Sequence, residues 1–490
     1  MDARIGTDAE LQTLIEGALR GELTEGQAER LARCDASLMK VVLLAAVKWI
    51  AEQNNRIAEL QSKLNAVPSI SPSTPSGQVP VYAKPSTPKR KGKPGAKTGH
   101  KGTRRATPSR IDRRETHRLP RCPDCDGRLQ RCRQTRTRIV EDIPEEVEPV
   151  VTAHTLHRDY CPRCKRHVEP VVPDALPGAT LGHRVFGLTS WFHYGLGVTI
   201  DQVVQILSCH LQTRITPGGL VQGWHRLAEV LAAWYEQIGV EAKGSTHLHA
   251  DETGWRVSGQ THWLWCFTNP TVCYYMIDRC RGSPALQKFF TEAFSGVLIH
   301  DFWAAYGLME AGDRQVCLAH LLRELHEVDE RNDSADWRAF AKKLRRLVHD
   351  GVRLRGLPDF TPEGYASRIK RLNQRIYDLS HAEIADADAA RLAKRLRRWG
   401  DHVFAFLDHP EIPWENNFAE RQIRPAVILR KNSQSNRSER GAATQAILMS
   451  VYRTLKLRGH NPIDVITQGL RTYVATGKLP PLPAQLVADG

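Results

Sequence analysis

The fold is decided by Thr246-His-Leu-His-Ala-Asp251 and by a second stretch of similar form, Gly296-Val-Leu-Ile-His-Asp301. We interpret each stretch as a short buried strand that ends at its carboxylate. Carboxylate oxygens are the ligands that Mg²⁺ prefers in proteins, so Asp251 and Asp301 are candidate metal ligands. Glu252 follows directly, but the alternation of side chains along a strand predicts that it points to the opposite face.

A third acidic residue, Glu420, lies much later in the chain, in Trp414-Glu-Asn-Asn-Phe-Ala-Glu420-Arg-Gln-Ile-Arg-Pro425. This segment predicts a helix that is closed by Pro425, because the residue before a proline avoids the helical conformation. Glu415 competes for the same role, and we favour Glu420. Three carboxylates in this order predict a site for two Mg²⁺ ions, which can clamp the attacking and leaving oxygens of a phosphodiester.

The segments around the first two aspartates predict a mixed sheet. Two further strands, Thr261-His-Trp-Leu-Trp-Cys-Phe-Thr and Val272-Cys-Tyr-Tyr-Met-Ile-Asp, complete a three-stranded meander. Ser283 is expected to cap a helix that runs to about Phe294, and the Asp301 strand follows. Three hairpin-linked strands, a helix and a fourth strand beside the first form the order of a ribonuclease-H-like fold. That order would bring the two aspartates together.

Helices are predicted on both sides of this sheet region. Apolar residues recur at helical spacing over residues 176–240. Within that range, Thr199-Ile-Asp-Gln-Val-Val-Gln-Ile-Leu and the segment after Pro217 are compatible with a helix-turn-helix, and a plain helical packing domain is the alternative. Residues 318–409 are again predicted to be helical and are rich in Arg and Lys, which indicates a helical insertion before the third carboxylate.

Composition limits the class of protein. A chain of 490 residues is too long for one hydrophobic core, and its hydrophobic share of 41% supplies several. The formal charge of +15 indicates a polyanionic partner, most simply nucleic acid. The sequence shows neither a membrane-spanning stretch nor a signal core, so we expect a soluble, cytoplasmic protein with no membrane partner. In such a chain, its 11 cysteines favour thiols and metal ligation over disulfides.

The N-terminal region predicts a short coiled coil followed by a basic linker. Leu43, Ile50, Ile57 and Leu64 recur every seven residues, and Asn54 lies where a buried polar residue sets register. An ordinary amphipathic helix packed on its own chain is an equal alternative. Residues 68–112 are rich in Pro, Ser, Gly and Lys, which predicts an extended tether rather than a core. Its basic residues are candidates for binding DNA phosphates, with a merely solvated linker as the alternative: Lys89, Arg90, Lys91, Lys93, Lys97, Lys101, Arg104 and Arg105.

Two Cys-Pro-x-Cys pairs follow, and they predict a structural zinc site. The pairs are Cys122-Pro-Asp-Cys125 and Cys161-Pro-Arg-Cys164. Between them, residues 138–153 have a strand-like pattern. Four thiolates from two such knuckles across a small β-unit form a closed tetrahedral site for one Zn²⁺, a zinc ribbon. Cys132 is a nearby thiol that we do not expect to be a ligand.

Several neighbours of the acidic residues are candidates for supporting roles. Cys317 and His320 have ligand-like spacing but no second pair, so we expect them to support the carboxylates. Arg421 and Arg424 follow Glu420 closely and are candidates for gripping DNA phosphates; a solvated basic helix face is the alternative. The tryptophans that follow each aspartate, at 255 and 303, are more commonly core residues than base-stacking ones.

Together these patterns predict a multidomain α+β protein. Its expected segments are an N-terminal helix or coiled coil (1–67), the basic linker (68–112), a zinc ribbon (113–175), a helical DNA-binding region (176–242), and a ribonuclease-H-like domain in two parts (243–330 and 411–490) interrupted by a helical insertion (331–410).

Several of these motifs occur together, in the same order, in one known family. Ala250-Asp-Glu-Thr-Gly-Trp-Arg256, Asp301-Phe-Trp-Ala-Ala-Tyr306, Leu318-Ala-His-Leu-Leu-Arg-Glu324 and Asn416-Asn-Phe-Ala-Glu-Arg-Gln-Ile-Arg-Pro425 carry the resemblance, with the basic linker and the paired cysteines before them. The chain resembles the transposases of the insertion-sequence-66 family. Glu415 stands where that family often has aspartate.

The resemblance implies that Asp251, Asp301 and Glu420 are the DDE triad of a ribonuclease-H-like nuclease-transferase. It also implies binding to terminal inverted repeats and cooperation with small accessory proteins of the same element. We therefore expect a DNA transposase that cuts a strand at the element end and joins the freed 3′-hydroxyl to target DNA. A homo-oligomer is expected when two ends are bound.

Two other functions are compatible with the same motifs. One is a non-catalytic DNA-binding protein, a domesticated or decayed relative, although the triad is intact in sequence. The other is a ribonuclease-H-like nuclease that does not transfer strands, because it would use the same metal site.

Overall fold

The computed structural model describes residues 24–26, 29, 40, 44, 48, 50–58, 108–130, 136–144 and 147–486. The chain divides into two units, Met1–Thr74 and Pro75–Gly490. In the first unit residues 50–58 are helical, and Ile50 and Ile57 are about half exposed. The remaining apolar positions of the predicted heptads lie outside the described residues. The eight basic linker residues from Lys89 to Arg105 lie outside them as well.

Only two short strands form around the second cysteine pair. Strands β1 (Asp159–Cys161) and β2 (Arg166–Val168) are antiparallel and enclose the knuckle. The strand predicted over residues 138–153 is wrong, since the described part of that range has no regular secondary structure. Its apolar side chains are exposed, including Val140 and Ile143. A strand needs a hydrogen-bonded partner, and the described chain supplies none there.

The predicted helical region consists of three α-helices and a π-helical turn. They are α1 (His183–Ser190), the π-turn Trp191–Gly195, α2 (Ile200–His210) and α3 (Pro217–Lys243). Thr199 begins α2 with a reciprocal capping box. Proline at the first position of α3 fits because that residue needs no N–H partner. Of the 27 residues of α3, 11 are buried, and its first turn and outer face are open to a partner.

A five-stranded mixed sheet forms the centre of the second unit. Its strands are β3 (His247–Val257), β4 (Gln260–Thr268), β5 (Cys273–Asp278), β6 (Phe294–His300) and β7 (Ala311–Val316), in the order β5-β4-β3-β6-β7. The first three are antiparallel, and β6 and β7 are parallel to β3. The predicted meander and the predicted neighbourhood of the first and fourth strands are confirmed.

Two boundaries in the sheet region differ from the sequence prediction. Strand β3 does not end at Asp251 but continues to Val257, because β4 pairs with it from His249 to Val257. Helix α4 (Ser283–Phe289) has Gly282 at its N-cap position and ends earlier than predicted. Residues 290–293 form neither helix nor strand, and β6 begins at Phe294.

The predicted insertion is helical, as expected. After β7 the chain forms α5 (Leu318–Asp329), α6 (Ala335–Arg355), α7 (Pro362–His381), α8 (Ala387–Trp399) and the single turn α9 (Ala405–Asp408). Side-chain caps begin α6, α7 and α8, from Ser334, Thr361 and Asp386.

The predicted helix end at Pro425 is wrong. Helix α10 (Asn417–Ser433) runs through this proline. An interior proline removes one backbone hydrogen bond and costs about 3 kcal/mol. Continuing the helix buries Ala426 and Leu429 in the core, which offsets that cost.

The last two helices are α11 (Glu439–Leu457) and α12 (Pro462–Thr476). Helix α11 covers the edge strand β5. The N–H of Cys273 donates to Thr454 Oγ1 at 3.0 Å and that of Tyr275 donates to Ser450 Oγ at 2.8 Å. An exposed strand edge invites pairing with another chain, and these hydroxyls occupy its donors instead. Among the helices that the structure describes, none is long and apolar enough to span a bilayer.

Candidate functional site: an acidic cluster on the central strands

The pairing of β3 with β6 aligns the two aspartates. The parallel register pairs His249 with Ile299, so two residues further along the strands Asp251 lies beside Asp301. Strand β6 ends at His300, and the chain turns away where Trp303 N–H donates to Asp301 Oδ1 at 2.8 Å. The aspartates thus lie just beyond the end of the parallel pairing of β3 with β6, where β3 remains paired only with β4.

The structure brings Glu420 to the same place. The pKa of Asp251 is raised well above its ordinary value, first by burial and then by the negative charges of Glu252, Asp301 and Glu420. The pKa of Asp301 is raised to about 7 by burial and by the charge of Glu252. Asp301 and Glu420, which are far from Asp251 in sequence, therefore both lie within electrostatic reach of it.

Glu415, the competitor for the third position, is engaged elsewhere. Its Oε2 accepts a hydrogen bond from the side chain of Asn417, just before α10. Glu420 lies in the first turn of α10, and its Oε1 is 3.3 Å from Nε2 of His320. This geometry favours Glu420 over Glu415 as the partner of the two aspartates.

Asn416 connects three parts of the site, a role that the sequence interpretation missed. Its Nδ2 donates to the carbonyl of Ala250 at 2.8 Å, and its Oδ1 is 2.9 Å from Nδ1 of His249. Its backbone N–H donates to Cys317 Sγ at 3.1 Å. Because His249 and Ala250 immediately precede Asp251, Asn416 ties the start of α10 to the strand that carries the first aspartate. An asparagine at the N-cap position of the helix was the only signal of this in the sequence.

Cys317 and His320, at the start of α5, lie near the third carboxylate. Burial raises the pKa of Cys317 to about 11, so its thiol is protonated and structural. Burial lowers the pKa of His320 to about 4, so its imidazole is neutral at physiological pH. Cys317 also fixes the start of α5, since its N–H donates to the carbonyl of His300 at 2.8 Å.

Glu252 is held in an ion pair next to the cluster. Arg281 Nε donates to Glu252 Oε1 at 3.1 Å, and the Tyr306 hydroxyl donates to Oε2 at 2.6 Å. The Arg281 guanidinium lies 3.9 Å from the ring of Trp303 and 4.6 Å from that of Trp263. Arg281 also lowers the pKa of Asp301, against the larger effect of burial. This arginine is a second residue that sequence interpretation missed.

The tryptophans after the two aspartates have different environments. Trp255 is buried in the core, and its Nε1 donates to Asn436 Oδ1 at 2.7 Å. That location fits the core role expected for it. Trp303 is half-buried and stacks on Arg281 rather than packing wholly inside the core.

The acidic cluster fits divalent cations in its chemistry. Glu420 Oε1 is buried and, although it lies 3.3 Å from His320 Nε2, accepts no hydrogen bond from the described residues. A cation would also offset the repulsion that raises the pKa of Asp251. Throughout the described ranges, however, no three His, Cys, Asp or Glu side chains are close enough together to hold a metal ion. Side-chain rotation is therefore needed before the three carboxylates can share one.

The four predicted zinc ligands form two knuckles of the same local shape. The residue after each second cysteine is left-handed, with φ 55° at Asp126 and 52° at Lys165. Backbone N–H groups lower the pKa of the first thiol in each: those of Asp124 and Cys125 for Cys122, and those of Cys164 and Arg163 for Cys161. Each knuckle is thus shaped to present thiolates, but the two are not assembled into one site.

The basic residues that follow Glu420 divide into two groups. Arg421 and Arg424 are exposed, and the Arg421 guanidinium lies 5.5 Å from the ring of Phe418. Arg430 points inward and donates to Thr253 Oγ1 at 3.1 Å and to the carbonyl of Gly254. Of these three arginines, Arg421 and Arg424 are available to a phosphate group.

Fold and site together define a mixed α+β protein with a partly buried acidic cluster between two parallel strands and a helix. Comparison with protein families gives a match to the IS66 family of transposases over residues 180–444, more than half of the chain. The chain belongs to this transposase family. The matching family model is that of a DDE-type transposase domain, a class that in general uses divalent metal ions.

Curated relatives occur in Sinorhizobium fredii (strain NBRC 101917 / NGR234). The uncharacterized protein y4qI is 27% identical over 294 residues, which cover 51% of this chain and 53% of the relative. The uncharacterized protein y4jD is 24% identical over 225 residues, 43% of this chain and 44% of the relative. The uncharacterized protein y4hP is 20% identical over 382 residues, 70% and 68% of the two chains. The chain thus spans about half the length of the first two relatives.

Proposed function

We propose that this protein is a DNA transposase of an insertion sequence in which Asp251, Asp301 and Glu420 bind two Mg²⁺ ions and catalyse strand cleavage and strand transfer. The observation that carries the proposal is the convergence of three carboxylates from β3, β6 and α10, in a chain of the IS66 family. The ions, when bound, supply electrostatic stabilisation of a phosphodiester undergoing in-line displacement.

The strand order supports a ribonuclease-H-like core. Three antiparallel strands, a helix and two parallel strands give β5-β4-β3-β6-β7, the arrangement expected for that fold. In this core β3 and β6 supply the aspartates from adjacent strands, and α10 supplies the glutamate. The helices from α5 to α9 separate the second aspartate from the glutamate along the chain.

The chain's own residues have distinct tasks in this mechanism. The two aspartates must be ionised to act as ligands, and their burial makes ionisation costly until positive charge is present. Asn416 and Cys317 hold in place the backbone of β3, which carries Asp251, and the start of α10, which carries Glu420. Neutral His320 contacts Glu420 without competing as a cation. The ion pair with Arg281 partly neutralises Glu252, a fourth carboxylate whose charge acts on both aspartates.

The remaining regions are proposed to handle DNA. The four cysteines would bind one Zn²⁺ and, with the neighbouring helices, hold an element end. Arg421, Arg424 and the basic linker residues would neutralise phosphates. A homo-oligomer would hold two ends together, in a cytoplasmic setting and with accessory proteins of the same element. We propose terminal repeats and target DNA as its two substrates.

The test is cleavage of a duplex that carries the element's own end, with Mg²⁺. Asp251→Asn, Asp301→Asn and Glu420→Gln should each lower cleavage by at least about 100-fold, since each removes a proposed ligand. Glu415→Gln is the matched control, because it makes the same chemical change five residues away on a side chain engaged with Asn417. Thermal unfolding of every variant shows whether it is folded.

The products separate the alternatives. A joined product identifies strand transfer, cleavage without joining indicates a nuclease, and DNA binding without cleavage indicates a non-catalytic relative. If Glu415→Gln abolished cleavage and Glu420→Gln did not, the assignment of the third carboxylate would be wrong.

A further inference from the structure

An open cavity in the helical insertion is lined by four arginines, three leucines and one aspartate. It lies between α6 and α7 and has a volume of about 350 Å³. Arg353 reaches it from α6, and Arg368, Arg371 and Arg375 reach it from α7, with leucine side chains at its base. The three arginines of α7 are spaced at i, i+3 and i+7, which places them on one face of that helix. We call this feature the arginine pocket.

The positive charge of the arginine pocket is not balanced by its own residues. Asp350 is its one acidic lining residue, and its carboxylate pairs with Arg375 at 3.0 Å. Arg353 and Arg371 form no ion pair with any residue that the structure describes, and both are exposed. Four guanidinium groups around one cavity repel each other, so an anionic ligand would stabilise the arrangement.

The arginine pocket has the chemistry of an oxyanion site. Guanidinium groups bind carboxylate and phosphate oxygens alike in a bidentate geometry, so the charge of the surrounding insertion decides between the two. The whole insertion is basic, with 17 Lys and Arg against 11 Asp and Glu over residues 331–410. A basic surface of this kind selects a polyanion whose charges repeat along its length, which is the property of a nucleic acid backbone.

We propose that the arginine pocket binds the phosphate backbone of duplex DNA, so that the insertion is a DNA-contacting element. This inference rests on the proposed function, because it gives the insertion a task in holding the same substrate. The cavity is open rather than enclosed, which suits a rod-like backbone passing over it. The pocket also belongs to the same unit of the chain as the acidic cluster.

The experiment measures how duplex DNA of random sequence binds to the full-length protein as a function of salt. Arg353→Gln combined with Arg371→Gln should weaken binding and lower the slope of log K against log salt by about 2, one for each lost phosphate contact. The matched control is Arg338→Gln combined with Lys394→Gln, two exposed positions of the same insertion that do not line the cavity. The control should change the slope by clearly less.

A second pair of variants keeps the charge. Arg353→Lys with Arg371→Lys should restore most of the salt slope, because lysine still neutralises phosphate. Equal affinities and slopes for the pocket and control variants would overturn the inference. It would also be overturned if the glutamine variant lost binding of a mononucleotide or inorganic phosphate while duplex binding was unchanged, since the cavity would then be a small-anion site.

Failure of this inference is distinguishable from failure of the proposed function. The pocket variants leave Asp251, Asp301 and Glu420 intact, and binding is measured without cleavage. A wild-type protein that binds duplex DNA but never cleaves an element end would count against the catalytic proposal alone. A wild-type protein that cleaves, with pocket variants that bind like the controls, would count against the arginine pocket alone.

Discussion

At the scale of single residues, the acidic cluster stores unfavourable electrostatic energy. Asp251 and Asp301 are buried near each other and near Glu252, and for both the pKa is raised. A raised carboxyl pKa means that the folded protein holds protons more tightly than the unfolded chain. Ionisation of the cluster therefore lowers the free energy of unfolding. The same arrangement of carboxylates is able to bind cations.

The pH dependence of stability follows from the sign of this shift. The pKa of Asp301 is about 7 in the folded protein against an ordinary value of 3.8. The contribution of Asp301 to the free energy of unfolding is fully present below pH 3.8 and is lost as pH rises through about 7. In chelating buffer the free energy of unfolding should fall as pH rises from about 5 to about 8. Mg²⁺ should reverse the loss, because binding to the folded state stabilises it.

Asp301→Asn should flatten this dependence by up to about 1.4 kcal/mol per pH unit, since one titrating proton is removed. Part of the slope should remain, because Asp251 shifts in the same direction. Asp201→Asn, on the exposed first turn of α2, is the control and should leave the slope unchanged. Chemical unfolding at several pH values measures the slope of the free energy of unfolding against pH. A slope in Asp301→Asn equal to that of the wild type would contradict the raised pKa of Asp301.

At the scale of elements, α11 protects the edge of the sheet. The hydroxyls of Ser450 and Thr454 accept from backbone N–H groups of β5, and both side chains are fully buried. The Ser450 hydroxyl also donates to its own helix, at the carbonyl of Ala446, whereas the Thr454 hydroxyl donates to the carbonyl of Cys273 in β5. The contacts with β5 therefore depend on that strand lying against α11. The sequence around Thr454 does not predict it.

Thr454→Val should destabilise the protein by about 1–3 kcal/mol, since it keeps the side-chain shape but leaves the N–H of Cys273 buried without an acceptor. Thr472→Val on α12 is the matched control. Its hydroxyl bonds to its own helix, at Gln468, in an exposed position, and its loss should cost within about 0.5 kcal/mol. Urea unfolding measures both, and equal losses would show that the edge contact contributes nothing specific.

At the scale of the whole molecule, the two cysteine knuckles must be joined for a zinc site to form. Each already presents a thiol whose pKa is lowered by backbone N–H groups, those of Asp124 and Cys125 in one and those of Cys164 and Arg163 in the other. Joining them requires the chain between residues 126 and 160 to close a loop, and zinc binding would supply the free energy for that closure.

Purified protein should accordingly contain about one zinc ion per chain. Cys122→Ser combined with Cys161→Ser should abolish zinc content measured by elemental analysis, because one thiolate is lost from each knuckle. Cys209→Ser is the control, since this exposed thiol lies on α2, away from both pairs. Zinc retained at full content in the double variant would rule out the four-cysteine site.

The sequence by itself determined the elements and the candidate chemistry. Alternating and helical periods are local properties, so the meander, the order of β3 and β6, and the helical insertion were all predictable. The acidic residues and the cysteine pairs were also recognisable, because their meaning depends on residue type and spacing.

Only the tertiary structure decided where those elements end and what surrounds the carboxylates. Strand β3 continues beyond Asp251 because β4 pairs with it. Helix α10 continues beyond Pro425 because Ala426 and Leu429 become buried in the core. The contacts of Asn416 and the convergence of arginines from α6 and α7 join residues that are distant in the chain. Such contacts depend on packing in three dimensions, and no local period in the sequence encodes them.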